Sequence, residues 1–403
     1  MKKNISPFKP KKYIKFKPKN FNVYTFNAGF KKTTDDLLVI VFKNLANFSS
    51  VYTNSSMPAA PIIWNKKYKN NKCKILIVNS GNANAFTGID GIEEINKYVK
   101  FVSKKFKCKK NQVLVASTGV IGEKLNSKFI ISTLNKNSQI KPKNILDAAK
   151  AIMTTDTYPK VAEKVIKIGN QKFKIFGIAK GSGMISPKMA TMLSFIFIEI
   201  PLNKIQLNKI LKDNIDETFN SITVDGDTST NDMTALFSTK KEDNKKLNKK
   251  TLDFISKELK YLMHNLSKQI VCDGEGISKL ISVNVVNAKS KNQAKKIAFS
   301  IAESNLVKTA IYGKDANWGR IIMAIGKSNE KLDINKIQLK FGKNIVAEKG
   351  KASKKINIKN LNKYIKKKII DINLNLNSGK YNKTILSSDL TNEYVDINAD
   401  YRS

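Results

Sequence analysis

Thr191 is the residue on which a reaction can be built, because it stands where two contrasting stretches meet. Before it runs Gly177-Ile178-Ala179-Lys180-Gly181-Ser182-Gly183-Met184-Ile185-Ser186-Pro187-Lys188-Met189-Ala190. Gly181 and Gly183 admit positive φ there, and Pro187 removes a backbone donor. After it, Met192 to Ile200 is an apolar and aromatic run that suits a strand buried on both faces. A glycine loop thus delivers one hydroxyl to the first position of a core strand. Ala190 is small and leaves its carbonyl open. Attack by Thr191 Oγ gives an ester by an N→O acyl shift, and hydrolysis then splits the chain between Ala190 and Thr191. The released α-amine, with an unperturbed pKa of about 7.7–8.0, can act as base to its own hydroxyl. Taken alone, the spacing also fits a threonine that merely opens a buried strand.

Other residue types suit the same chemistry. Gln112 to Ala116 reads as a strand running into Ser117-Thr118-Gly119-Val120-Ile121-Gly122. A threonine hydroxyl and a glycine N–H at a strand end can hold a developing oxyanion, although many such pairs do nothing of the kind. Lys180 precedes the glycines and, by itself, is one lysine among many. Glu275, in Asp273-Gly274-Glu275-Gly276, can hold a substrate ammonium or be a solvated turn residue. Asn79 to Ala85 is an amide-rich turn that either lines a site or packs tightly. Asp225 to Leu236 superficially resembles a calcium loop, but its sixth position is Thr230 and its twelfth Leu236, so no calcium site is expected. The single histidine, His264, lies in an apparent helix and reads as an ordinary surface or boundary residue. Cys73, Cys108 and Cys272 lack metal or redox spacing. No metal or cofactor is expected.

These segments resemble the ornithine acetyltransferase (glutamate N-acetyltransferase) family of arginine biosynthesis. The loop ending Lys180-Gly181-Ser182-Gly183-Met184-Ile185 and Met189-Ala190-Thr191-Met192-Leu193 matches its self-cleavage signature nearly unbroken. Asn79 to Ala85, Thr154 to Lys160, Thr223 to Asp232 and Asn317 to Arg320 match further signatures over most of the chain. The resemblance implies Thr191 as the acetyl-accepting nucleophile and Thr118 with Gly119 as the oxyanion hole. It implies Thr155, Lys180, Glu275, Asn398 and Ser403 as substrate contacts, with Thr157 the neighbour most easily confused with Thr155. Ser403 stands where the family ends in Thr or Ser.

Elements must position these groups. Leu37–Phe42 and Cys73–Val78 read as buried strands. Ile92, Ile95, Val99, Val102 and Phe106 mark one helix face. Ala148–Met153, Leu207–Phe219, Leu252–Leu266 and Ala294–Val307 read as further helices. Val165–Phe176 is a hairpin about Gly169-Asn170. Ile370, Ile372, Leu374 and Leu376 alternate with Asp371, Asn373, Asn375 and Asn377, a half-buried strand.

Composition narrows the class. A chain of 403 residues can bury a large core and form two lobes. The net charge of +41 invites a nucleic-acid reading. Against it, only Arg320 and Arg402 of the 73 basic residues are arginine, the residue that supplies bidentate contacts. The lysines are spread along the chain with abundant Asn and Ile, as AT-rich codon drift produces. The Lys-rich start lacks an apolar segment and no run approaches the ~20 residues of a membrane span, so a cytoplasmic, reducing setting is expected.

The expectation is therefore an α/β enzyme: a layered ornithine acetyltransferase-like sandwich with a smaller C-terminal lobe from about residue 280, self-cleaved into chains 1–190 and 191–403 that assemble as an α2β2 heterotetramer. It would move acetyl from N2-acetylornithine to glutamate, with acetyl-CoA as an optional co-substrate. The alternatives are an N-terminal-nucleophile amidase or aminopeptidase, a basic nucleic-acid-binding protein, and an inactive relative.

Overall fold

The computed structural model describes residues 4–67, 72–137, 141–186, 192–241 and 247–400. They fall into two compact units. The larger comprises residues 10–220 and 228–270, the smaller residues 1–9, 221–227 and 271–403.

The larger unit is built on one mixed sheet. Its strands are β1 (Phe21–Phe26), β2 (Leu37–Tyr52), β3 (Lys72–Asn82), β4 (Val113–Val120), β5 (Lys160–Ile168), β6 (Gln171–Lys180), β7 (Leu193–Ile198) and β8 (Met233–Ser238). The order is β4-β3-β2-β8-β7-β6-β5, with β1 added to β2. The pairs β3–β4 and β7–β8 are parallel, and the rest are antiparallel.

Continuous apolar runs arise because both faces are covered. On one face Leu38, Ile40, Phe42, Leu76 and Val78 join Phe176, Phe197 and Phe237, closed by helix Ile145–Ala151. Five rings form its centre; Phe21 and Phe197 lie 4.6 Å apart between centroids. On the other face Leu37, Val39, Ile75 and Ile77 pack beneath helices Ala60–Lys67, Gly88–Lys105 and Ser127–Lys136. Period-two side chains thus divide between two cores. All six residues of β7 are buried, as its composition predicts. Helix Lys249–Val271 crosses β6 closely at Gly177: a Cβ there would stand 2.9 Å from Leu266 Cδ1 and would push that side chain aside.

The smaller unit holds a second sheet of β9 (Leu280–Ala288), β10 (Gln338–Phe341), β11 (Asn344–Glu348), β12 (Lys351–Ala352), β13 (Ile369–Asn375) and β14 (Tyr381–Ser388), ordered β12-β11-β10-β13-β9-β14. Ile370, Ile372 and Leu374 of β13 point into its core, as their alternation predicts.

The expected helix Ala294–Val307 is two helices, Lys291–Ala302 and Asn305–Tyr312. The apolar period continues through the break. Ser304 makes it by accepting the Val307 N–H at its side-chain oxygen, the local bond that starts a new helix. The helix expected to reach Phe219 ends at Ile215, and Phe219–Ser221 is a 3₁₀ turn.

Candidate active site

In the larger unit two strand ends gather the polar groups. β4 ends in Thr118, Gly119 and Val120, and β6 ends in Lys180. Gly119 adopts φ +138°, and a Cβ there would lie 2.2 Å from the Gly81 carbonyl carbon. Only glycine lets β3 and β4 approach this closely, where their register shifts just past Gly81. Thr118 and Lys180 are both buried. Lys180 Nζ donates to Thr118 Oγ1 at 2.9 Å and to Thr154 Oγ1 at 2.8 Å. An ammonium only donates, so Thr118 Oγ1 is the acceptor and its own hydroxyl hydrogen is directed elsewhere.

Asp156 organises the loop around them. Its Oδ1 accepts the Gly181 N–H at 2.8 Å and Lys160 Nζ, and its Oδ2 accepts the Thr154 N–H at 3.0 Å. Burial alone would raise this carboxyl, but the Lys160 and Lys180 charges and the Gly181 amide together hold it below the ordinary carboxylate range. Lys31 stands close by and donates to the Met153 carbonyl at 2.6 Å. Burial, opposed by Asp36 and reinforced by the Lys180 charge, brings its amine down to about 8.

The amide-rich turn is occupied with structural bonds. Asn79 Nδ2 donates to the Asn82 carbonyl, Ser117 Oγ to Asn79 Oδ1, Asn82 Nδ2 to the Glu123 carbonyl and Asn84 Nδ2 to the Gly91 carbonyl. These bonds explain the amides by packing. Thr155, named by resemblance, is half-buried in the same turn as Thr154. Thr154, not singled out from the sequence, accepts from Lys180 alongside Thr118.

In the smaller unit, Glu275 and Asn398 meet. Asn398 Nδ2 donates to Glu275 Oε2 at 2.9 Å. Asn398 lies on helix Asn392–Ala399, whose N-cap Thr391 donates from Oγ1 to the Gly276 carbonyl at 2.7 Å. Gly276, at φ +66°, leaves room for that helix: a Cβ would stand 2.6 Å from the Tyr394 nitrogen. Tyr394 donates weakly to Asp225 Oδ2 at 3.4 Å. Its phenol is pushed up by burial and by the negative charges of Asp225, Glu275 and Asp227. Buried Lys308 donates to the Val224 carbonyl. Burial lowers its amine to about 8 against the opposing pull of Asp225, Asp389 and Glu303.

Ala190, Thr191 and Ser403 lie outside the described residues. Among those described, no group of three or more His, Cys, Asp or Glu is placed to hold a metal ion. His264 is exposed on its helix, and none of Cys73, Cys108 and Cys272 forms a disulfide. No helix among the described residues is long and apolar enough to cross a membrane.

In class, the chain is an α/β enzyme whose polar groups collect at strand ends. It belongs to the ArgJ family, whose model matches residues 22–403. It is 43% identical over 387 residues to the arginine biosynthesis bifunctional protein ArgJ of Bartonella henselae, covering 94% of each chain. It is 41% identical to the protein of the same name from Bradyrhizobium diazoefficiens, covering 100% of each. The crystal structure of the Bacillus halodurans protein of that name matches at 38% identity and a TM-score of 0.49, over 52% of this chain and 99% of that one. The resemblance read from the motifs is therefore correct, and the chemistry is acyl transfer in arginine biosynthesis.

Proposed function

We propose that acetyl passes from N2-acetylornithine to glutamate through an ester on Thr191, after self-cleavage between Ala190 and Thr191. The observation that carries this reading is the Lys180–Thr118 bond, in a chain that matches its family over nearly its whole length. With its oxygen occupied by the ammonium, Thr118 offers a hydroxyl hydrogen beside Gly119, a donor suited to an oxyanion. Thr191 takes the acetyl group as its amide bond to ornithine breaks, and ornithine departs as the free amine. The α-amine of glutamate then attacks the ester, giving N-acetylglutamate and restoring the hydroxyl. One difficult amide exchange becomes two ester-level steps.

Lys180 and Thr155, and on the smaller unit Glu275, Asn398 and Ser403, recognise the amino-acid substrate. Glu275 pairs with its ammonium. The two cleaved chains, 1–190 and 191–403, stay associated. Support comes from β6 and β7: they are hydrogen-bonded neighbours in one sheet, on opposite sides of the scissile bond. An α2β2 assembly, a cytoplasmic setting and acetyl-CoA as a second donor complete the reading; the word bifunctional in the relatives' names supports the last.

The test is steady-state kinetics with both substrates varied. Parallel double-reciprocal lines and no acetate release establish transfer by substitution. Thr118→Val should lower kcat about 10²–10³-fold with little change in KM, as loss of one oxyanion donor does. Intersecting lines, or release of acetate in place of N-acetylglutamate, would instead indicate a ternary complex or a hydrolase.

A further inference from the structure

The stretch Ser229-Thr230-Asn231-Asp232 is not a calcium loop, and its bonds show another use. Asn231 Nδ2 donates to the Ala83 carbonyl at 2.7 Å and to the Ser117 carbonyl at 2.9 Å, so it grips β4 one residue before Thr118. Thr53 Oγ1 donates to the Ser229 carbonyl, and the Ala59 N–H to the Thr230 carbonyl. Next along the chain, Asp232 Oδ1 accepts the Met192 N–H at 2.9 Å. The Met192 carbonyl accepts from the Met233 N–H at 3.1 Å, in line with the parallel β7–β8 register. Met192 is thus held on both sides. Its nitrogen belongs to the peptide bond that Thr191 makes with the rest of β7.

We propose that Asp232 is a positioning residue for acyl transfer, clamping the peptide that joins Thr191 to Met192 while Asn231 ties the same loop to the Thr118 strand. The inference rests on the reading of Thr191 as nucleophile. Asp232 is wholly buried. Burial pushes its carboxyl well above the ordinary range, against the Met192 amide and the Lys180 charge. Asparagine keeps the acceptor that the Met192 N–H needs and cannot titrate. A buried carboxyl that merely paired with Lys180 would lose its role in the same substitution.

The experiment compares wild type, Asp232→Asn and Asp232→Ala for self-cleavage, kcat, KM, pH profile and melting temperature. The expected result for Asp232→Ala is a fall of at least tenfold in kcat and in cleavage rate, with KM for acetylornithine within twofold. Asp232→Asn should recover activity to within about threefold of wild type, with an unchanged pH profile. Asp232→Ala with wild-type kcat, or Asp232→Asn as inactive as Asp232→Ala while both melt as wild type, overturns the clamp. If Asp232→Ala does not fold, Asp232→Asn decides alone. Wild type that neither cleaves nor takes acetyl would remove the reading of Thr191 and this inference with it. Wild type that does both beside an unaffected Asp232→Ala removes this inference only.

Discussion

The two units handle charge differently. The larger one buries its ions and compensates them at close range: Asp156, Lys160, Lys180, Thr118 and Thr154 form a single bonded group with little exposure. The smaller one gathers carboxylates near a surface helix: Asp225, Asp227 and Glu275 all act on Tyr394, and Asn398 is exposed. Dry, preorganised dipoles suit stabilisation of a charge that develops during reaction. Carboxylates graded from buried Glu275 to exposed Asp227 suit recognition of a cation that arrives already charged. Under the proposed function, chemistry falls to one cluster and selection to the other.

Removing Asp156 should break the first cluster most severely. The Lys160–Asp156 pair is fully buried, and Asp156 also holds Gly181 and Thr154. Asp156→Ala leaves a buried ammonium without its partner, a change that costs about 3–5 kcal/mol, readable as a large fall in denaturant midpoint. A midpoint within experimental scatter of wild type would show that the cluster is not preorganised.

Glu275→Gln addresses the second cluster. It keeps an acceptor for Asn398 and removes the charge. A hydrogen bond to a charged group is worth about 1.5–3 kcal/mol, so KM for acetylornithine should rise between about ten and a hundredfold. The kcat value should move far less. A fall in kcat at constant KM would reverse the assignment of roles.

Lys308 supplies the most specific effect. Below pH 8 both folded and unfolded chains hold its proton, and the cost of burying the charge is present in full. Between about 8 and 10.5 the unfolded chain keeps a proton that the folded chain has released, so stability rises with pH across that window. The rise attributable to Lys308 is on the order of 3 kcal/mol. Lys308→Met should flatten it, leaving the similar contribution of Lys31. Identical pH–stability curves for wild type and variant would contradict the cause given for the lowered amine.

Much of this was legible in the sequence where one short run carried the signal. The unbroken apolar run of β7 and the alternation of β13 needed no tertiary information. The glycine loop with its threonine, and the Thr-Gly strand end, were visible as motifs. The break at Ser304 was not, because a single capping hydroxyl outweighs an apolar period that runs through it. Lys31 and the Asp156–Lys160 pair were hidden among 73 basic residues, since burial alone distinguishes them. Thr154 and Thr155 are adjacent, and only the direction of a side chain separates them. The Asp232 motif could be seen, but its partner Met192 lies 40 positions away and meets it only when β7 and β8 pair.

The central claim is that Thr191 becomes a free N-terminal residue and carries the acetyl group. Denaturing mass spectrometry of the purified protein, before and after incubation with N2-acetylornithine, tests it most directly. The account predicts two fragments, 1–190 and 191–403, with one acetyl group added to the second and removed again by glutamate. A single chain that stays intact on incubation, or an acetyl group on any residue other than Thr191, would contradict it.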